Sequence, residues 1–123
     1  IKTSRSVRDW IPAGTVENED PALIAQDWFS IKSTMWNYVG IVRTTPRLKI
    51  AREDLQHMYL RIEEFYKETP VSKNIISLFH STQSAIMVAD AAWRNRNSIG
   101  CHLVRTSKGT SESHPAMMRN YIP

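Results

Sequence analysis

The segment from Thr45 to Pro70 constrains this chain more than any other. Leu48, Ala51, Leu55, Met58 or Tyr59, Ile62, and Phe65 or Tyr66 recur at steps of three and four, so they lie on one side of an α-helix. Lys49–Glu53 and Glu63–Lys67 fall four apart on the other side, where such pairs add about 0.2–0.5 kcal/mol each. Pro46 suits a first helical turn, because its missing N–H has no intrahelical partner there, and Thr45 before it is a capping residue type. Thr69-Pro70 ends the pattern. A helix of this kind is marginal alone in water and must bury its apolar side on other elements.

Two neighbours can supply that cover. From Asp27, an N-cap residue type, Ile31, Met35 and Tyr38 or Val39 recur helically as far as Gly40, and the apolar run continues through Ile41 and Val42. After Ser72, a second N-cap, Ile75, Phe79, Thr82, Ile86, Ala89 and Trp93 alternate four and three apart, a heptad spacing suited to left-handed packing. The expected fold class is all-α: an up-down-up three-helix bundle, spectrin-repeat-like, with helices at about 27–40, 46–68 and 72–95. Residues 1–26, punctuated by Pro12, Gly14 and Pro21, read as an extended lead-in, and residues 97–123 as an irregular tail with room for a short strand between Cys101 and Arg105. At 123 residues this is one domain. It opens on Ile1 and not Met, so it is expected to be a piece of something longer.

Composition narrows the function. One cysteine rules out an internal disulfide and a cysteine-rich metal site. The net charge of +4 raises nucleic acid as a partner, but the residues between Pro46 and Thr69 balance basic against acidic. The expectation is no nucleic acid and no membrane, since no apolar run approaches the ~20 residues of a bilayer span. The chemistry of an active site is missing from the pattern. Glycine-rich phosphate loops are absent, and His57, His80, His102 and His114 form no metal-ligand pair. Cys101 and His102 are neighbours, yet neighbours on an extended segment face opposite ways. Glu63 and Glu64 point about 100° apart on a helix, toward solvent. No catalytic, cofactor-binding or metal residue is therefore assigned. Trp28, Trp36 and Trp93 exceed what so small a core needs and are candidates to cover another domain.

One stretch is family-specific. Met35-Trp36-Asn37-Tyr38-Val39-Gly40-Ile41-Val42-Arg43-Thr44-Thr45-Pro46-Arg47-Leu48 resembles a signature of L-aspartate oxidases, usually read there as MWDYVGIVRTxxRL. Glu63-Glu64-Phe65-Tyr66 is similar to the family's EEYY helix end, and the likeness extends from about Asp9 to Arg105. These oxidases belong to the succinate dehydrogenase and fumarate reductase flavoprotein superfamily. The resemblance implies the C-terminal three-helix domain of such an enzyme, packed on FAD-binding and capping domains and inactive alone. The parent would be a cytoplasmic, FAD-dependent oxidoreductase converting L-aspartate to iminoaspartate in NAD biosynthesis. The family's closing motif, ESRGxH, is matched here at Ser98, Gly100 and His102, with Asn97 and Ile99 in place of its Glu and Arg. With Trp36 and Arg43, those three matched residues are the candidate domain-interface residues. Two alternatives stay open: a free-standing helical interaction module diverged from that domain, and the same domain of a succinate dehydrogenase or fumarate reductase flavoprotein.

Overall fold

The computed structural model describes Ile11 and residues 20–105. The remainder of the lead-in and of the tail, His114 included, lies outside the described residues. Three helices, α1 (Pro21–Tyr38), α2 (Thr45–Glu68) and α3 (Lys73–Arg94), alternate with two short strands, β1 (Val42–Thr44) and β2 (Leu103–Arg105). The expected all-α three-helix bundle is the fold, with a minor two-stranded sheet added at one end.

α1 begins six residues earlier than the apolar periodicity indicates. Asp20, not Asp27, is its N-cap, accepting from the amides of Ala22 and Leu23, and Pro21 occupies the first turn. Asp-Pro here is the same start signal as Thr-Pro before the second helix. Asp27 instead lies inside the helix on its buried side. α2 departs in the opposite sense. Thr45 is already helical, and Thr44, the last residue of β1, is the N-cap without a side-chain capping bond. The strand runs straight into the helix, so no loop residue remains to cap it. Ser72 caps α3 through its hydroxyl, which accepts from the Ile75 amide at 3.2 Å.

The core lies between α2 and α3, with α1 laid against both. Leu48, Ala51, Leu55, Met58 and Ile62 form the buried side of α2, which settles the Met58-or-Tyr59 ambiguity. On α3 the buried side is Ile75, Leu78, Thr82, Ala85, Ala89 and Ala92. Half of the expected heptad is therefore displaced. Phe79, Ile86 and Trp93 flank the seam, partly buried, and alanines occupy it, so the two helix backbones approach closely. The Thr82 hydroxyl is satisfied inside this core by donating to the Leu78 carbonyl at 2.8 Å. Flanking aromatics close the far end, where Tyr66 and Phe79 stack at 4.5 Å.

α2 runs away from the sheet and α3 returns, so both strands sit at one end of the bundle, here called the head. The strands pair in parallel, Val42 with Leu103, Arg43 with Val104 and Thr44 with Arg105. Parallel neighbours need a long crossover, and the α2–α3 hairpin provides it. The expected strand near Cys101–Arg105 exists, but its partner at Val42–Thr44 was not legible as a strand.

Candidate functional site

The head gathers the residues singled out above. The C-terminal end of α1 reaches it at Trp36–Gly40, β1 leaves it, and the segment after α3 folds back on it through Ser98–His102. A turn at Ile99–His102 makes this return possible. The two residues exchange both backbone hydrogen bonds at 2.9 Å. Gly100 sits at φ 54, the left-handed region that glycine enters without steric cost, and Cys101 after it does not. Those φ signs are those of a II′ turn.

Arg43 and His102, fifty-nine residues apart, form the centre of the head. Arg43 Nη1 lies 2.9 Å from His102 Nδ1. A guanidinium only donates, so Nδ1 accepts and the ring hydrogen resides on Nε2. Nε2 then donates to the Asn95 carbonyl at 2.8 Å, at the C-cap of α3. Arg43 uses its other nitrogens on the end of α1, donating to the carbonyls of Gly40 at 2.8 Å and Val39 at 3.4 Å. One pair of side chains thus satisfies orphan carbonyls at the ends of two helices and ties both strands to them. Both residues are only half-buried. Cys101 points outward to solvent, so no thiolate–imidazole pair forms with His102.

Ser98, also matched in the closing segment, lies inside the domain. It is buried, and its hydroxyl both donates to the Val104 carbonyl at 3.3 Å and accepts the Val104 amide at 3.0 Å. It therefore shapes the loop from within. Among the tryptophans, Trp28 and Trp93 pack partly against the core, and the guanidiniums of Arg52 and Arg96 lie over the Trp93 ring at 4.1 and 5.2 Å from its centroid. Trp36 is 84% exposed. Ile41, at 71%, lies close by in sequence, and Val42 and Ile99 on the same end are also exposed. His57 and His80 lie on exposed helix surface. Among the described residues, no group of three or more His, Cys, Asp or Glu could hold a metal ion, and no helix is long and apolar enough to cross a membrane.

Gly40 is required where it stands. A Cβ added there would lie 2.8 Å from the Trp36 carbonyl oxygen, a backbone atom that cannot swing aside. Gly40→Ala is expected to cost about 1–3 kcal/mol and to lower the thermal midpoint followed by circular dichroism. An unchanged midpoint would show that the α1–β1 turn relaxes freely.

The fold and the head together define a small helical domain, one end of which is organised by the Arg43–His102 hydrogen bond. No protein-family model matches the chain. Over 97 residues it is 35% identical to the L-aspartate oxidase of Acinetobacter baylyi and 32% identical to that of Pseudomonas aeruginosa, covering 79% of this chain each time. Over 115 residues, 89% of the chain, it is 30% identical to the chloroplastic L-aspartate oxidase of Oryza sativa subsp. japonica. The chain spans 17–18% of the length of these relatives. It is an L-aspartate oxidase-like helical domain.

Proposed function

We propose that this domain is the C-terminal accessory part of an L-aspartate oxidase-like flavoenzyme, docking by its head on the FAD-binding and capping domains. The parent reaction would be the FAD-dependent oxidation of L-aspartate to iminoaspartate, feeding NAD biosynthesis, with electrons passing to oxygen or fumarate. The domain would contribute no catalytic group. Its part is to support the flavin-bearing region, with FAD held by that region's residues. The observation that carries this reading is the head itself. Arg43 from the signature stretch and His102 from the closing motif hold one another, and beside them Trp36 and Ile41 stand exposed. Burying an exposed tryptophan and isoleucine on a second domain stabilises their contact by about 1.5–3 kcal/mol per side chain.

The test uses the native protein that carries this chain. Trp36→Asp is expected to lower flavin occupancy and to accelerate loss of L-aspartate-dependent flavin bleaching on warming. Unchanged occupancy and unchanged thermal inactivation would rule out docking through this end. A purified chain of residues 1–123 that carries stoichiometric flavin would rule out the accessory role.

A further inference from the structure

The bundle is electrically lopsided along its axis. The first half of α2 carries Arg47, Lys49 and Arg52 against Glu53 and Asp54, and its second half carries Glu63, Glu64 and Glu68 against Arg61 and Lys67. The return of α3 brings Arg94 and Arg96 to the head, and β2 adds Arg105 opposite Thr44. Asp20 and Asp27 on α1 join the acidic end. Among the described residues the head thus carries an excess of basic side chains, and the opposite end, where Arg61, Lys67 and Lys73 also lie, a smaller excess of acidic ones.

Several features of the head are unexplained by the domain's own stability. Arg47 occupies the first turn of α2, at the positive end of the helix dipole, where a cation is disfavoured. That turn contains no acidic residue, and Thr44 supplies no side-chain cap. Neither Arg47 nor Arg105 has a salt-bridge partner among the described residues, and both are exposed. Two other guanidiniums are held in place. Arg94 Nε lies 2.7 Å from Asp90, and Arg96 donates to the Thr45 hydroxyl at 2.9 Å while lying over Trp93. Groups fixed before binding lose less side-chain freedom when a partner arrives. The same end exposes Trp36 and Ile41. Exposed tryptophan together with arginines is a composition enriched at protein interfaces.

We infer that the head is built to dock an acidic protein surface. Trp36 and Ile41 enter an apolar hollow, and Arg47, Arg94, Arg96 and Arg105 pair with carboxylates around it. Arginine's planar fork suits bidentate pairing with carboxylates. This rests on the accessory-domain reading, in which that acidic surface belongs to the rest of the same enzyme.

Arginine footprinting with phenylglyoxal on the native protein, isolated with whatever chain or domain accompanies it, tests the inference. Arg61 is the internal reference, exposed but already paired with Asp27. On an undocked bundle the unpaired Arg47 and Arg105 react faster than Arg61. Docking reverses the order, with Arg47 and Arg105 slower by about tenfold or more. Arg47 and Arg105 reacting as fast as Arg61 or faster overturns the inference. Reactivity restored by nuclease also overturns it, since the occupant is then a nucleic acid. Oxidation of Trp36 by N-bromosuccinimide separates the two readings. A protected Trp36 with reactive arginines removes the acidic rim and leaves the accessory docking standing. A reactive Trp36 together with reactive arginines removes both.

Discussion

Leu55→Ala is expected to remove about 2–5 kcal/mol of folding stability. Leu55 is fully buried, at 0% exposure, on the side of α2 that faces the core. Its removal deletes apolar contacts and leaves a cavity. The neighbours have little means to fill that cavity, because α3 presents Ala85, Ala89 and Ala92 along the seam. Short side chains have no alternative rotamers that reach into the space. Domains of this size hold about 5–15 kcal/mol in total, so the variant would sit near the edge of folding. Chemical denaturation followed by helical circular dichroism would read the effect as a lower midpoint at an unchanged slope. A loss well under ~1 kcal/mol would mean that α2 and α3 do not pack along this seam.

The second large effect concerns the one buried charge of the described residues. Asp27 lies on the inner side of α1, with its side chain 12% exposed, and pairs with Arg61 of α2, whose side chain is 62% exposed. The two partners are therefore not equivalent. Arg61→Met leaves a carboxylate without its cation on a largely buried face, which costs about 2–4 kcal/mol. Asp27→Asn leaves Arg61 free to turn into water, and the loss is expected near ~0.5–1 kcal/mol. The cavity of about 380 Å³ beside the pair, lined by Leu23, Gln26, Ser30 and Phe65 among others, gives Arg61 room to leave. Replacing both partners, Asp27→Leu with Arg61→Met, is expected to recover most of the stability, because no charge is then stranded. A thermodynamic cycle over the wild type and these variants checks the asymmetry. Equal losses from the two single replacements would mean that Asp27 is well solvated through the cavity.

The pair also shows how sequence reading can mistake one residue type for another. Asp27 and Asp20 are the same residue type, and each precedes an apolar stretch. Asp20 caps because Pro21 follows and the chain turns there, whereas Asp27 faces Arg61 across a helix interface. Local pattern cannot distinguish a carboxylate that accepts its own helix amides from one that meets a side chain thirty-four residues on. The α3 seam is a similar case. Periodicity located the right side of the helix to within one step, and Ile75, Thr82 and Ala89 are at its centre. Large side chains then took the flanks and alanines the middle, because close helix approach favours small residues at the line of contact.

What the sequence determined by itself is the set of helices, the turns that end them and the apolar sides that must meet. Each of these follows from neighbours within a few residues: Pro70 after Thr69, Ser72 before Ile75, three- and four-residue steps of apolar side chains. The signature at Met35–Leu48 also marked the region that becomes the head. Only the tertiary structure decided how the head is assembled. The parallel pairing of Val42–Thr44 with Leu103–Arg105 and the Arg43–His102 hydrogen bond join segments separated by two helices, so nothing local encodes them. The same holds for the burial of Ser98, whose hydroxyl exchanges hydrogen bonds with the backbone of Val104. Charge followed the same rule. The antiparallel turn between α2 and α3 brings Arg47 and Lys49 of one helix to the same end as Arg94 of the other, so a segment whose charges balance along the chain contributes a basic excess at the head.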